Sequence, residues 1–392
     1  MNLMLDPEET GDAVAEPPWS RDLDDVALVR TVAQLIARPK CTRSDSFVIH
    51  APLELLARAD LLLRSQGASR SAVRARIAAI ATEYAMGDEI EDPRYCFSSP
   101  ARALVQLAAS LRAGDGEGTD ASITFLCSRL SAQELRAALA DEIVPFLGCA
   151  GHAPILLAAL PEATAHLGNL SGLLRAPVRA LAFGQRLRWI DEPQVEPAWD
   201  THGDVFEALA EPEHVFSPNT SIAPTMLAVE AKGFAARVLS PALRGRSLSE
   251  CRSALMRIAA LSMLQDEPAS APYGWTHCLT LPQALLSLAP YSTDSSRCVR
   301  AAATYALGFR ATLGRVRLDS ARSAKPSRSV ASLIAHAAAH PDTHLVKYTL
   351  ACLKAADEDP DARELYLAAA SYLGDWWATR SLQPEVHAGN HE

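Results

Sequence analysis

The sequence predicts an all-α protein that folds as an irregular multi-helix bundle in a single domain. Three observations favour this fold class. Apolar residues recur at helical spacing in segments rich in Ala, Leu and Arg, and several of these segments open with a serine, some with glutamate three residues later. No stretch alternates apolar and polar residues with the two-residue period of a β-strand. The chain of 392 residues, 49% of them hydrophobic, is long enough to bury a large core.

Five segments show the helical pattern most clearly. Each places apolar side chains at positions i, i+3 and i+4 with Arg or Glu on the opposite face, and "SAQE" and "SLSE" carry the capping-box signal. The segments do not recur at a fixed period, so an irregular bundle is favoured over a helical-repeat array of the HEAT type. In chain order they are residues 71–85, 99–113, 131–143, 249–264 and 296–309.

The breaks between helical segments are short, which favours one domain over two. We expect a loose N-terminal arm at residues 1–25, an all-helical domain at residues 26–382 and a loose C-terminal tail at residues 383–392. The run at residues 143–161 is free of Asp, Glu, Lys and Arg, but its internal prolines and glycines predict two short buried segments meeting at a break rather than a membrane span.

Charge, cysteine usage and missing motifs argue against several classes of function. The formal net charge of -9 disfavours a nucleic-acid or anionic-membrane partner. Eight cysteines without a CxxC pair are typical of reduced, buried thiols, and the acidic start is unlike a secretory signal, so we expect a cytoplasmic protein. The sequence also has no GxSxG, GxxxxGK[ST], GxGxxG or HExxH pattern.

Lys347, in the stretch "HPDTHLVKYTLACLKAA" (340–356), is an unexpected residue type. The chain has five lysines against thirty-two arginines, so a requirement for an amine is one interpretation. On a helix, His344 and Lys347 project from one face about one turn apart. The alternative is a lysine whose ammonium reaches solvent along an apolar stem. Lys354, further along the helix and without a histidine three residues before it, is expected to be an ordinary exposed ammonium.

Three more histidines lie in apolar surroundings. His50 and His152 both begin the sequence His-Ala-Pro before a leucine-rich turn, which predicts a histidine at the start of an apolar helix in each case. There the helix dipole disfavours the imidazolium and leaves a neutral ring that can bind metal. His277 lies in an apolar and aromatic run. For each histidine alone, a hydrogen-bonded core residue is the competing interpretation, and we expect the others, such as His340, to be structural or solvated.

Taken together, five segments resemble the questin oxidase-like family. The His-x-x-Lys helix is the most specific of them, and the resemblance extends in order over most of the chain. The segments are "HAPLELLARADLL" (50–62), "GCAGHAPILLAAL" (148–160), "LLRAPVRALAFGQRLRW" (173–189), "GWTHCLTLPQALLSLAP" (274–290) and "DTHLVKYTLACLKAADEDPD" (342–361).

The resemblance implies a helical enzyme that oxidatively opens a ring of anthraquinone-type polyketides, with residues 26–382 as its catalytic domain. The best understood members are similar to non-haem iron dioxygenases whose metal is held by four histidines and a carboxylated lysine. The matching positions here are His50, His152, His277, His344 and Lys347. One departure lies beside the second histidine: the family often has a bulky aromatic before it and glycine after it, whereas this chain has glycine before it and alanine after it.

The resemblance gives the lysine a chemical role. An amine desolvated in an apolar helix has a depressed pKa and can add carbon dioxide to form a carbamate, which arginine cannot do. Four imidazoles and a carbamate oxygen suit a borderline divalent ion such as Fe(II), with zinc and manganese as alternatives. The expected partners are dioxygen and a phenolate or hydroquinone in an apolar pocket, for which Tyr273, Trp275 and Tyr348 are candidate wall residues.

Three other functions stay open from the sequence. The first is a helical scaffold without chemistry. The second is a zinc hydrolase, which would need a carboxylate base, with Glu54 and Asp342 as the nearby candidates. The third is a metal-free, NADPH-dependent oxidase of the Baeyer-Villiger type acting on the same substrates, although no motif indicates NADPH.

Overall fold

The computed structural model describes residues 16–40, 46–84, 89–146, 151–192, 204–213, 222–231, 233–266, 272–322 and 324–381. Within these ranges the chain forms eighteen α-helices, and extended pairing is limited to two isolated bridges, Lys40 with Glu89 and Phe146 with Arg186. The predicted all-α class is confirmed.

The helices vary in length from one turn to about five turns. In chain order they are α1 (Pro18–Arg21), α2 (Asp25–Ile36), α3 (Ser46–Arg64), α4 (Gly67–Tyr84), α5 (Pro100–Ala113), α6 (Gly116–Arg129), α7 (Ala132–Ile143), α8 (His152–Leu167), α9 (Arg175–Leu181), α10 (Val205–Ala210), α11 (Ile222–Ala231), α12 (Phe234–Leu243), α13 (Leu248–Gln265), α14 (Pro272–Leu288), α15 (Ser295–Leu313), α16 (Val330–Ala339), α17 (Thr343–Glu358) and α18 (Arg363–Ser381).

Side-chain caps fix many of these helix starts. The two capping boxes expected from the sequence are present: Ser131 with Glu134 begins α7, and Ser247 with Glu250 begins α13. At the start of α17, the Asp342 carboxylate accepts a hydrogen bond from the Leu345 amide at 2.8 Å. Each cap satisfies an amide that would otherwise have no partner within the helix, so the sequence itself sets these boundaries.

The centre of the protein is built on α14 and α15. Helix α15 is buried continuously from Cys298 to Thr312, which its alanine-rich sequence permits because small side chains let neighbouring helices approach from every side. Arg310, which is 1% exposed, forms an ion pair with Asp266 and donates hydrogen bonds to the carbonyls of Leu209 and Ala210. The charge is thereby neutralised and hydrogen-bonded inside the core.

Four helices form a closed ring beside this centre. Helix α3 packs on α8, α8 on α14, α14 on α17, and α17 returns to pack on α3. The elements are far apart along the chain, so their adjacency is a property of the tertiary structure. This ring of helices carries the candidate site.

The ends of the chain and the uncharged run can be compared with the sequence predictions. Residues 16–25, assigned to a loose arm, include α1 and an ion pair between Glu16 and Arg74, whereas residues 1–15 and 382–392 lie outside the described part. Helix α7 ends at Ile143 and α8 begins at His152, as expected for two segments meeting at a break. Among the described helices, none is long and apolar enough to cross a membrane.

The cysteines follow the expected pattern where the structure describes them. Six are free thiols, and only Cys96 among these six is exposed, the others being Cys127, Cys251, Cys278, Cys298 and Cys352. Cys41 and Cys149 lie outside the described residues.

Candidate metal centre

Each helix of the closed ring contributes one histidine. His50 lies in the second turn of α3, His152 is the first residue of α8, His277 lies in α14, and His344 is the second residue of α17, with Lys347 one turn further on. The five residues selected from the sequence therefore come from four helices that pack against one another.

The four imidazoles form a ring in the same order as their helices. The distance between ring centres is 4.3 Å from His50 to His152 and 5.8 Å from His152 to His277. It is 5.3 Å from His277 to His344, and 4.9 Å from His344 back to His50. We call this set the histidine ring.

These spacings match what four imidazoles around one ion require. A metal–nitrogen bond of about 2.1 Å places a ring centre about 3.2 Å from the ion, so neighbouring centres lie about 4.5 Å apart at right angles and about 5.2 Å apart in a tetrahedron. The observed distances of 4.3 to 5.8 Å span these values.

The donor atoms, however, are not yet turned toward one point. Among the described residues, no three His, Cys, Asp or Glu side chains are arranged so that they could hold a metal ion as they stand. The spacing of the imidazoles is set by the packed helices, whereas rotation about the broad χ2 torsion of histidine redirects the nitrogens without moving any helix.

The histidine ring is closed on one side and accessible on the other. His152, His277 and Lys347 are 3%, 4% and 7% exposed. His50 is partly buried, and the side chain of His344 is 18% exposed. A molecule approaching from solvent would therefore reach the ring at the edge formed by α3 and α17.

Several buried polar atoms at this site have no hydrogen-bond partner among the described residues. They are both ring nitrogens of His152, Nδ1 of His277 and Nζ of Lys347. Leaving a buried polar atom without a partner costs about 1 to 3 kcal/mol, and such atoms are rare in native proteins. Four such atoms on side chains from adjacent helices are the pattern expected of residues that bind a ligand, and nitrogen donors fit a borderline divalent metal.

Burial keeps three of the four histidines neutral. The pKa values of His152 and His277 are well below the ordinary value of 6.5, first because of burial and then because of the neighbouring imidazoles and the charge of Lys347. Burial and Lys347 lower the pKa of His344 in the same direction. A neutral imidazole offers a lone pair to a metal, so all three are in the ligating form at neutral pH.

The Lys347 side chain is buried beside the histidines. Burial lowers its pKa from 10.5 to about 8, although the carboxylates of Asp342 and Glu54 oppose the shift. Lys354, the comparison residue on the same helix, is exposed, as predicted. The two lysines of α17 therefore differ in environment as the sequence analysis expected.

No protein-family model matches this chain, and no curated protein matches it either. The resemblance to the questin oxidase-like family stays a prediction, and the candidate metal centre depends on the geometry described above.

One prediction about local structure is wrong. The His-Ala-Pro sequence was expected to place His50 at a helix start, but α3 begins four residues earlier, at Ser46, and Pro52 lies inside the helix. Proline removes one backbone hydrogen bond there, yet the residues before it are helical. For His152 the prediction is confirmed, since it is the first residue of α8.

Gly151, the residue before His152, lies at a position that favours glycine. Its φ of +78° lies in the left-handed region that favours glycine, and it precedes α8 as the N-cap residue. A Cβ atom at this position would lie 2.4 Å from the methyl groups of Leu281 on α14. Leu281 therefore fills the space that a side chain at position 151 would need.

The structure describes the side chains of two of the three proposed wall residues, Trp275 and Tyr348. The ring of Trp275 faces Arg310, 5.8 Å from its guanidinium carbon, and burial raises the pKa of the Tyr348 phenol, which also has two neighbouring thiols, Cys352 and Cys278. The side chain of Tyr273 lies outside the described residues. Substrate binding by these three residues stays a prediction.

Two surface clefts lie away from the histidine ring. One of about 300 Å³ lies between α13 and α18, and one of about 490 Å³ lies between α10 and α13. Neither is lined by a histidine of the ring or by Lys347. The histidine ring together with Lys347, whose adjacent helices carry four nitrogen donors unpartnered among the described residues, is the stronger candidate for a functional site.

A polar network around Glu54, which was not predicted from the sequence, lies beside the histidine ring. Glu54 on α3 is 3% exposed; it accepts hydrogen bonds from Arg58 at 2.6 Å and from the Thr343 hydroxyl at 2.8 Å. Its spacing of four residues from His50 was a readable signal, because residues i and i+4 share a helix face. The contact with Thr343 could not be predicted from the sequence, because 289 positions separate the two residues.

Proposed function

We propose that this chain is a non-haem, metal-dependent oxygenase in which the histidine ring and Lys347 hold one divalent ion, expected to be Fe(II). The observation that carries the proposal is the gathering of four buried or half-buried imidazoles and a buried amine from four different helices. Four imidazole nitrogen donors suit a borderline ion, and the histidine ring as described contains no carboxylate.

Lys347 needs a change of charge to join such a site, because an ammonium would repel a cation. With a pKa of about 8, roughly one tenth of the amine is neutral at pH 7. The neutral nitrogen can attack carbon dioxide: a nitrogen–carbon bond forms, one carbon–oxygen π pair becomes the carbamate charge, and the nitrogen releases its proton to solvent. The product is an anionic oxygen ligand on a long stem, which is our reason for expecting a lysine here.

The neighbouring carboxylates favour an oxygenase over a zinc hydrolase. Hydrolysis at a metal usually needs a carboxylate that accepts a proton from the attacking water. Glu54 is buried and already accepts hydrogen bonds from Arg58 and Thr343, while Asp342 caps α17 through the Leu345 amide. Both candidate bases are thus engaged in holding the helices.

The substrate class in this proposal is a phenolate or hydroquinone of an aromatic polyketide. Bound Fe(II) would supply activation of dioxygen for cleavage of an electron-rich ring. The chain's own residues would hold the neutral nitrogen donors, exclude water from the closed side at His152 and His277, and admit substrate at the edge of His50 and His344. In a dioxygenase both oxygen atoms enter the product and the substrate supplies the electrons, so the reaction needs no NADPH.

Elemental analysis of the purified protein is the first test. We expect about one iron per chain, lost in Lys347→Ala and in His344→Ala and retained in the matched control Lys354→Ala. If the metal-free protein still cleaves the aromatic ring of the substrate with NADPH, the Baeyer-Villiger alternative would replace the proposal. Metal-free protein without ring-opening activity would leave the scaffold as the better account.

Labelled dioxygen tests the reaction itself. With an anthraquinol-type substrate and ¹⁸O₂, a dioxygenase incorporates two labelled atoms into the ring-opened product, whereas a Baeyer-Villiger oxidation incorporates one and reduces the other to water at the expense of NADPH. A ring-opened product that contains no label would contradict both reactions.

A further inference from the structure

Resting on the proposed metal centre, we infer that Glu54 is a positioning residue that acts through Thr343 to set the place of His344 and Lys347 relative to His50. Glu54 lies one helical turn after His50 on α3, and Thr343 is the residue directly before His344. Their 2.8 Å hydrogen bond therefore joins the helix that carries one imidazole to the helix that carries another imidazole and the amine.

The same carboxylate is itself held in place. Its second oxygen accepts a hydrogen bond from Arg58 Nε at 2.6 Å, and Arg58 is fully buried. A charge-assisted hydrogen bond of this kind is short and directional, so it limits rotation of the Glu54 side chain. The oxygen that accepts from Thr343 is thereby aimed at the start of α17.

Arginines from two helices hold the backbone just before α17. Arg58 of α3 donates to the carbonyl oxygen of His340 at 2.8 Å, and Arg76 of α4 lies 3.4 Å from that of Pro341. The Arg76 guanidinium also lies 3.9 Å from the Glu54 carboxylate. The turn between α16 and α17 is therefore attached to α3 and α4 on the residues that lead directly into His344.

A role in positioning α17 would explain why the Glu54–Arg58 ion pair is buried. Buried ion pairs seldom add much stability compared with apolar packing, and they are best explained where they fix one arrangement of elements. In metal sites, groups that orient the ligands commonly contribute tenfold to a hundredfold in metal affinity. The Glu54–Thr343 contact has the right place for that role.

The sharpest test changes Thr343 rather than Glu54, because Glu54→Ala would leave the buried Arg58 guanidinium without its carboxylate. Thr343→Val keeps the branched shape and removes the hydroxyl, while Thr343→Ser keeps the hydroxyl. Asp60→Asn is the matched control, since Asp60 is a carboxylate on the same helix that pairs with Arg64 at the surface.

Two measurements separate this inference from the proposed function. The first is Co²⁺ titration followed by visible absorption. We expect binding weakened about tenfold or more in Thr343→Val, near wild-type binding in Thr343→Ser and in Asp60→Asn, and an altered absorption band only in Thr343→Val. The second is amide hydrogen exchange of the metal-free protein, where residues 345–347 should exchange about fivefold faster in Thr343→Val alone, with α18 unchanged.

The outcomes are distinguishable. Wild-type protein that binds no Co²⁺ would refute the metal centre, and hydrogen exchange would then decide the positioning role by itself. Thr343→Val with wild-type affinity and wild-type exchange at the start of α17 would overturn the inference even if the metal centre is correct. Equal loss in Thr343→Val and Thr343→Ser would also overturn it, because the serine retains the hydroxyl.

Discussion

Replacing Lys347 with methionine should stabilise the metal-free protein while removing the proposed metal site. Burial lowers the pKa of Lys347 from 10.5 to about 8. At about 1.36 kcal/mol per pKa unit, keeping the ammonium in the folded state costs about 3 kcal/mol at pH 7. Methionine has a similar length and no charge, so we expect Lys347→Met to raise the free energy of unfolding by between about 1 and 3 kcal/mol, the lower value allowing for imperfect packing.

The pH dependence gives this prediction its sign. The folded-state pKa of Lys347 lies below its unfolded value of 10.5, so the unfolded chain binds more protons between about pH 8 and pH 10.5. Stability of the wild type should therefore rise across that interval as the penalty disappears. The advantage of Lys347→Met is full below about pH 8 and fades toward pH 10.5.

The assay is urea unfolding followed by helical circular dichroism at pH 7 and at pH 9.5. A chelator and carbon-dioxide-depleted buffer are needed, because bound metal or a carbamate would stabilise the wild type. Lys354→Met is the control: this exposed lysine lies on the same helix, and its change should stay within about 0.5 kcal/mol. Lys347→Met that is equal to or less stable than wild type at both pH values would refute the desolvation argument.

Three further predictions concern the surroundings of the site and the core. The metal-free protein should lose stability as the pH falls below 6.5, because the pKa values of His152, His277 and His344 are lowered and the unfolded chain then binds more protons. Urea unfolding at pH 7.5, 6.5 and 5.5 checks this, and a dependence of the unfolding free energy on pH that is unchanged in His152→Gln would contradict it. Gly151→Ala should lower the free energy of unfolding by about 1 to 3 kcal/mol, because of the positive φ and the contact with Leu281. In a double-mutant cycle, Leu281→Ala should reduce this loss, and additive effects would show that the two residues do not interact. Arg310→Met should lower the free energy of unfolding in urea by about 3 kcal/mol, because it leaves the Asp266 carboxylate buried without its cation. A loss below about 1 kcal/mol would show that the backbone donors to Asp266 are sufficient by themselves.

The helices and their starts could be read from the sequence because the forces that form them are local. The boxes at Ser131 and Ser247 act within four residues, and the period of apolar residues along a helix needs no knowledge of the partner helix. The same locality explains the error at His50. Proline was expected to mark the first turn of α3, but the helix begins at Ser46, four residues before His50 and six before Pro52.

Part of the candidate site could likewise be predicted from the sequence, and part could not. His344 and Lys347 were predictable as a pair, because a spacing of three residues on one helix fixes their common face. The polar partners of the site were not predictable: Glu54 meets Thr343 across 289 positions, and Gly151 depends on a leucine of another helix. Such contacts depend on how helix faces pack, which no local pattern specifies.

The sequence by itself therefore determined the all-α class, the capped helices and the set of five polar residues placed in apolar segments. The tertiary structure decided that α3, α8, α14 and α17 close into a ring, so that their imidazoles lie 4.3 to 5.8 Å apart. The physical reason is that helix formation requires contacts within a few residues, whereas the distance from residue 50 to residue 344 is fixed only when the intervening helices bury their apolar faces against one another.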